Sequence, residues 1–428
     1  MEEAIERWGY QEVATPTFEH LELFTIKSGE GILEEIYQFK DKGGRDIALR
    51  PELTAPVMRM YVSELQNSAK PLRLYYFGNC FRYERPQKGR FREFWQFGAE
   101  LIGGKSPDSE AEAIALADDL ISSVGIDGDF HVGHLGLIRT ILGLIPPTYR
   151  PGIMRMIDKK ERERLAEELE RIGADHLGLC DLIDLKGRSA LDKAVEIARD
   201  LPIKDLKDSD GPADLGKAFQ SESSGEGKRS ARAGREVEAE LGLDQFQEMV
   251  DLLDCHGVEA TIDFEIVRGL EYYTGTVFEA YASGLGAQSQ ICGGGTYQLA
   301  SLFGGKEAFS TGFGLGFDRI MEIVEGLAEP LPPVVLAFTP DVKAEALRMA
   351  RELRRSIPIV VDVMGRGLGP QLKAAASLGA RHVVIIGRKE LDEARPILRE
   401  MESGDQEELT FEELRERLMD SYREKQAL

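Results

Sequence analysis

The sequence predicts an α+β protein, with a large body mixing aromatic strands and helices and a smaller α/β domain at its C-terminal end. Three observations predict it. The stretches "LRLYYFGNCFRYE" (72–84) and "FREFWQFGAELIG" (91–103) are rich in aromatic residues and flank a Pro/Gly turn signal, "PQKG", which reads as a hairpin. Residues 146–245 are charged and helical in period, apart from the Gly/Ser-rich run "GPADLGKAFQSESSGEGKRSARAGRE". Beyond the Pro-rich "EPLPP" (329–333), the apolar runs "VVLAFTP", "IPIVVDV" and "RHVVIIG" alternate with helical stretches at 341–355 and 369–379, the pattern of an α/β unit with its own core.

The elements follow in order. The end of a helix leads into a strand over "GYQEVATPTFE", where Pro16 suits an edge or a strand end, because proline has no N–H for a central ladder. "IALRPELTAPVMRMYVSEL" reads as a strand entering a helix near Ala55. In "FREFWQFGAELIG" side chains alternate, so Gln96 and Glu100 share one face and Phe97 and Leu101 the other. A helix is predicted over Asp108–Val124, with Pro107 near its first turn. An inserted helical module spans about 146–245, and strands resume in "ATIDFEIVRGLEYYTGTVFEAYA", "SQICGGGTYQLASLFGG" and "STGFGLGFDR". The body is predicted over 1–328, the linker at 329–333 and the small domain over 334–428.

The formal net charge is −22, which argues against non-specific nucleic-acid binding. Yet "FRYERPQKGRFREFWQFGAE" gathers Arg82, Arg85, Lys88, Arg90 and Arg92 around Glu84, Glu93 and Glu100. Arginines interleaved with aromatics on a hairpin suit a negative ligand better than a solvated face. No apolar run reaches the ~20 residues of a membrane span. The acidic, amphipathic start is not a signal or transit peptide. Cys80, Cys180, Cys255 and Cys292 form no CxxC pair, which favours a reducing cytoplasm over a disulfide framework.

"CGGGT" (292–296) and "GFGLGFDR" (312–319) lack the Walker A Lys-Ser/Thr and a strand–GxGxxG–helix context, so neither is a P-loop or Rossmann site. Glycines there let backbones or a ligand approach closely. Arg319 opens a helix just after the second run, and Arg268 precedes Tyr272 and Tyr273. His131 and His134 have no Cys or carboxylate beside them at ligand spacing, which favours strand packing over metal binding. There is no GxSxG nucleophile.

"GYQEVATPTFE", "LRPELT", the 81–100 hairpin, "RGLEYYTGTVFE" and "GFGLGFDR" occur in the order of the class II histidyl-tRNA synthetases. The first is similar to motif 1, the hairpin to motif 2 and the last to motif 3, while "RGLEYYTG" resembles the signature specific to the histidine enzymes. "LKAAASLGARHVVIIGRKEL" (372–391) resembles their anticodon-binding domain. The resemblance covers nearly the whole chain, weakest over 146–245. It implies an antiparallel-sheet catalytic domain that activates L-histidine with ATP and transfers it to the 3′ end of tRNA(His).

By the same resemblance, Arg82 and Arg268 are expected to be catalytic at the ATP α-phosphate. Glu84 is expected on the adenine side, Arg90 on the same hairpin's ATP-binding surface and Arg319 at the γ-phosphate. Glu52, Thr54 and Gln96 match residues that bind the α-amino group. Glu100 and Tyr273 match those that bind the imidazole, with Tyr272, Tyr297 and Arg268 in the same histidine-binding set. A carboxylate and a phenol suit a ring that offers one donor and one acceptor. Gln87 matches a contact to the tRNA acceptor end. Mg2+ would bridge the phosphates, with no dedicated metal cage in the sequence. A homodimer built on the motif 1 strand is implied.

The chain departs from the family in three places. Thr296 and Gln298 stand where Arg and Asp flank the tyrosine, Asp318 stands for the Glu before the motif 3 arginine, and the chain starts inside the first helix, without the usual Arg-Gly-x-Arg-Asp-like segment. The closest rival reading is a paralogue, the regulatory subunit of ATP phosphoribosyltransferase, which binds histidine without activating it. Those proteins generally lack the small domain and the arginine matched by Arg268. A more distant rival, favoured only by Thr296 and Gln298, is a tRNA-binding or sensing module with degenerate catalysis.

Overall fold

The computed structural model describes all residues except 29–32, 84–90, 202–240, 268–271, 287–288, 326–331 and 427–428. The chain divides into two units, Met1–Glu325 and Gly326–Leu428. The "PQKG" turn, the Gly/Ser-rich run and most of "EPLPP" lie outside the described residues.

The first unit begins with α1 (Glu2–Arg7), β1 (Gln11–Glu12), β2 (Phe18–His20), α2 (Glu22–Ser28), β3 (Gln38–Lys40), β4 (Asp46–Leu49) and α3 (Thr54–Met60). The hairpin strands β5 (Leu72–Phe81) and β6 (Glu93–Ile102) follow, then α4 (Asp108–Ser122), β7 (Asp129–His134) and α5 (Leu135–Gly143). The inserted module contributes α6 (Arg150–Asp158), α7 (Arg162–Arg171), α8 (Leu179–Ile183) and α9 (Ala190–Asp200). After α10 (Leu243–His256) the unit closes with β8 (Ala260–Ile262), β9 (Tyr273–Tyr281), β10 (Gln290–Tyr297), β11 (Ser310–Gly316) and α11 (Phe317–Ile323).

Eight of these strands form one sheet in the order β1-β5-β6-β11-β10-β9-β7-β8. Its six inner strands pair antiparallel, and only the outermost, β1 and β8, join parallel to their neighbours. The β5–β6 register runs unbroken from Leu72↔Ile102 to Phe81↔Glu93, so Gln96, Gly98 and Glu100 face one side and Trp95, Phe97 and Leu101 the other. Helix α4 covers the second side: Arg73, opposite Leu101, meets Glu112 of α4 at 2.7 Å.

The predicted strand over 9–19 is two strands in two sheets. β1 pairs with β5, whereas β2 joins β4 and β3 in a separate three-stranded sheet. Pro16 sits in the gap, where its missing N–H interrupts any ladder. The nearly buried guanidinium of Arg50 fastens that gap, donating to the carbonyls of Thr15 (2.7 Å), Pro16 (3.3 Å) and Asn79 (2.8 Å). A buried charge is tolerable when its donors are used in this way.

The second unit holds β12 (Val334–Phe338), α12 (Lys343–Leu353), β13 (Ile359–Val361), α13 (Leu368–Ser377), β14 (His382–Ile386), α14 (Arg388–Asp392), β15 (Ile397–Glu400), β16 (Gln406–Glu408) and α15 (Phe411–Gln426). The order is β13-β12-β14-β15-β16, parallel among the first three and antiparallel beyond. Val334, Leu336 and Phe338 bury one face with α12 and α15 residues, and Val335, Ala337 and Ile385 bury the other with Ala375 of α13. A strand buried on both faces reads as a continuous apolar run, as "VVLAF" does.

Candidate functional site

The face of the large sheet away from α4 carries a polar network centred on Glu100, which is 0% exposed. Its Oε1 accepts from the hydroxyl of Tyr76 at 3.2 Å, and its Oε2 accepts a short hydrogen bond from Tyr297. Burial, with Glu52 nearby, lifts the Glu100 carboxyl to about 8, against the hydrogen bonds from Tyr297, Thr54 and Tyr76. Tyr272 packs edge-on to Tyr297 at 5.9 Å and beside Tyr273 at 4.8 Å. All four tyrosines are buried. Burial pushes the phenols of Tyr76, Tyr272 and Tyr297 well above their ordinary value.

Glycines shape the floor. Gly312 lies opposite Glu100 and Gly316 opposite Gln96, while Gly293 and Gly295 of β10 face Gly314 and Gly312. These positions carry no side chains of their own between Glu100 and Gln96, which are four residues or ~13 Å apart along the strand, and the Tyr76 ring lies over Gly98 in that interval. The result is a trough with a carboxyl and phenols at one end. Past the Gln96 end lies Arg319 of α11, with Cδ 3.6 Å from where a Gly316 Cβ would sit and Nη1 donating to the Gln290 carbonyl at 2.5 Å. Asp318 faces Trp95, whose amide it accepts at 2.6 Å, which fixes α11 to β6.

Glu52 and Thr54 stand at the start of α3. The Glu52 carboxylate accepts from the amides of Thr54 (2.6 Å) and Ala55 (3.1 Å), as an acceptor at a helix start should. Burial raises its carboxyl, and those amides and the charge of Arg82 oppose the rise. Arg82 donates Nε to the Pro51 carbonyl at 2.9 Å and lies over the Phe94 ring at 5.1 Å, so Arg82 and Glu52 flank one corner of the trough. Gln96 accepts from the Cys80 thiol at 3.2 Å. Burial holds that thiol up near 12, which makes it a packing group and not a nucleophile.

Of the residues singled out in the sequence, the structure brings Glu52, Thr54, Arg82, Gln96, Glu100, Tyr272, Tyr273, Tyr297 and Arg319 to this face. Glu84, Gln87, Arg90 and Arg268 lie outside the described residues. Tyr76 was not singled out. Its only sequence signal is alternation in "LRLYYFGN"; that Gly98 lies across the ladder is a matter of register. Thr296 points to the opposite face, where its hydroxyl meets Glu110 of α4 at 3.4 Å. That departure from the family therefore does not line the trough. His131 packs edge-on to Tyr281 at 5.2 Å and bonds Asp263 at 2.9 Å. The Asp263 hydrogen bond raises its pKa despite partial burial. Among the described residues no three His, Cys, Asp or Glu side chains gather as a metal cage, and no helix is long and apolar enough to cross a membrane.

Comparison with known proteins extends this geometry. The family profile described as histidyl-tRNA synthetase matches residues 1–320, and one described as an anticodon binding domain matches 333–420. The chain is 49% identical over 421 residues to the histidine–tRNA ligase of Methanosarcina acetivorans, covering 98% of this chain and 92% of that protein. It is 44% identical to the histidine–tRNA ligase of Archaeoglobus fulgidus, covering 97% and 92%. Among solved structures it is similar to a Bacillus halodurans protein titled as an ATP phosphoribosyltransferase regulatory subunit/histidyl-tRNA synthetase, at 26% identity and TM-score 0.70, covering 90% of this chain and 92% of that one. The fold is also that of the histidyl-tRNA synthetase of Nostoc, at 23% identity and TM-score 0.71, covering 98% and 93%.

Proposed function

The chain belongs to the histidyl-tRNA synthetase family, and from that premise we propose how it joins histidine to tRNA(His). The observation that carries the reading is the Glu100 network at one end of a glycine-floored trough. Histidine lies in the trough with its imidazole N–H toward Glu100 and the tyrosines Tyr272, Tyr273 and Tyr297. Its ammonium meets Glu52, Thr54 and Gln96. An amino acid without the ring nitrogens leaves the remaining acceptor site of the buried Glu100 carboxyl without a donor, a large penalty.

ATP lies along the rest of the face. Arg82 and Arg268 bind the α-phosphate, Arg319 the γ-phosphate, Glu84 the adenine side, and Arg90 supports the nucleotide from the same hairpin. A carboxylate oxygen of histidine attacks the α-phosphorus, a new O–P bond forms, and the bond to pyrophosphate breaks. Arg82 and Arg268 act by meeting charge that grows on the phosphoryl oxygens. A terminal hydroxyl of the tRNA then attacks the carbonyl carbon, and AMP leaves. Gln87 serves the acceptor end. Mg2+ would come with the phosphates of ATP and lend positive charge to them, as suits an ion that keeps most of its ligands from substrate and water.

Residues 1–328 form the catalytic domain, with the helical insertion at about 146–245, and 334–428 read the anticodon. Phe18, at the end of the motif 1 segment, and Phe39, both exposed on the small sheet, support a homodimer; we place the enzyme in the cytoplasm. The ligase names of the curated relatives and the anticodon-binding match over 333–420 favour this reading over the regulatory paralogue. The test is exchange of pyrophosphate into ATP, assayed with each of the twenty amino acids. Exchange with histidine alone is expected, and none with any amino acid would overturn it.

A further inference from the structure

Tyr76 is 3% exposed, and a buried phenol needs a partner for its hydroxyl. That hydroxyl reaches Glu100 Oε1 at 3.2 Å and the Phe313 carbonyl at 3.4 Å. The ring gets there by lying across the neighbouring strand. Tyr76 pairs with Gly98 in the ladder, and a Cβ on Gly98 would fall 2.6 Å from the Tyr76 ring and 2.4 Å from the Phe313 carbonyl. The next glycine on that side makes room for the other partner: a Cβ on Gly312 would fall 1.7 Å from Glu100 Oε2. Two strands have thus given up side chains so that a phenol from β5 and a carboxyl from β6 meet.

With Tyr297 on Oε2 and Tyr76 on Oε1, each carboxyl oxygen holds one phenol donor. A carboxylate accepts at about four lone-pair sites; Thr54 also donates to Glu100, so about one site remains for a ligand, in a plane the two phenols fix. We propose that Tyr76 is a positioning residue for histidine selection, clamping the Glu100 carboxyl in the plane that receives the imidazole N–H. This rests on Glu100 being the imidazole's partner. Tyr76 acts through Glu100 and does not touch the reacting carboxylate or phosphate.

The test uses the full-length enzyme and pyrophosphate exchange in wild type, Tyr76→Phe, Glu100→Gln and the double variant. Phenylalanine keeps the ring over Gly98, so circular dichroism should be unchanged. Losing one buried donor should raise the histidine KM about tenfold, with the ATP KM and kcat within about twofold. In the double variant the Tyr76→Phe effect should vanish, because the pair act as one unit. The pH profile supplies a readout that packing alone would not move. Donation from Tyr76 favours the charged carboxylate, so the limb governed by Glu100 should shift to higher pH in Tyr76→Phe. The groups facing Glu100 are Tyr76 on β5, Tyr297 on β10, Thr54 and Glu52 at the start of α3, and, farther off, Tyr272 and Tyr10. An unchanged histidine KM and pH limb in Tyr76→Phe, with Glu100→Gln impaired, would overturn the role of Tyr76 alone. An unimpaired Glu100→Gln would overturn the imidazole assignment and this proposal with it.

Discussion

Gly312 lies directly across the ladder from Glu100, so close that a Cβ at Gly312 would stand 1.7 Å from Glu100 Oε2 and 2.5 Å from the Ala99 carbonyl. The first contact is with a functional group and the second with backbone that cannot swing away. Gly312→Ala is therefore expected to cost about 1–3 kcal/mol of stability and to displace the carboxyl proposed to receive histidine. At Gly314, two residues along, a Cβ would lie 3.4 Å from Gln96 Nε2, the far end of a side chain, so Gly314→Ala should be milder. Thermal unfolding and histidine calorimetry on both variants check this. Equal melting temperatures and equal histidine affinity would remove the steric argument.

The pH dependence of stability follows from the same carboxyl. The folded-state pKa of Glu100 is raised to about 8 by burial. Stability from its protonated form is complete below the unfolded carboxyl value, ~4.3, and is lost as pH rises through about 8. Burial raises Glu52 and Glu110 too, with the same sign. The ligand-free protein should melt at a lower temperature at pH 8.5 than at pH 5. Glu100→Gln should narrow that difference by up to a few kcal/mol, since each pKa unit is ~1.4 kcal/mol. Calorimetric scans at the two pH values decide it; a gap as wide in the variant as in wild type would mean that Glu100 is not the titrating group.

The hairpin strands were legible because their code is local. Alternation alone puts Gln96 and Glu100 on one face, and the unbroken register with β5 preserves it. Pro16 also spoke locally, yet its effect was not only to mark an edge. It divides two sheets, and the Arg50 guanidinium that bridges the gap comes from a residue 34 positions away. Tyr76 was illegible for a related reason. One tyrosine among several in an aromatic strand looks like core until Gly98 is known to lie across from it, a relation fixed by register and not by spacing. The role of Thr296 was equally hidden, because whether it faces the trough or α4 depends on its pairing with Thr311. In the small domain "TFEELRERL" carries a readable capping box, Thr410 with Glu413, but the alternating β/α reading stopped at the third strand and missed the antiparallel pair β15–β16.

The two units have separate cores, which makes the proposed division of labour testable. A chain ending at Glu325 should fold by circular dichroism and exchange pyrophosphate with histidine near the full-length rate. It should charge tRNA(His) poorly, because the contacts assigned to 334–428 are gone. A folded truncation that loses both activities alike would count against assigning the anticodon to the second unit.

Arg268, proposed at the α-phosphate, is where the enzyme and regulator readings are tested against each other. It lies outside the described residues, between Val267 and Tyr272, both buried on the catalytic unit. Tyr273, the next residue, begins β9, pairs with Tyr297 and has its carbonyl held by Arg139. Tyr272 and Tyr273 lie beside the Glu100 network. If the Arg268 guanidinium meets the α-phosphate, its interaction strengthens as charge builds on phosphorus, so its loss should slow the chemical step more than it weakens ground-state binding. Loss of one preorganised donor typically costs about 10²–10³ in turnover, and that is the drop expected for Arg268→Ala. The affinity for histidine should change little, because Glu100 and its tyrosines carry it. Arg268→Lys should rescue only partly, since a point charge cannot reproduce a bidentate fork. Pre-steady-state adenylate formation in the three proteins is the measurement. A wild-type rate in the alanine variant would take Arg268 out of the mechanism, and no adenylate in the wild type would move the whole chain to the regulatory reading.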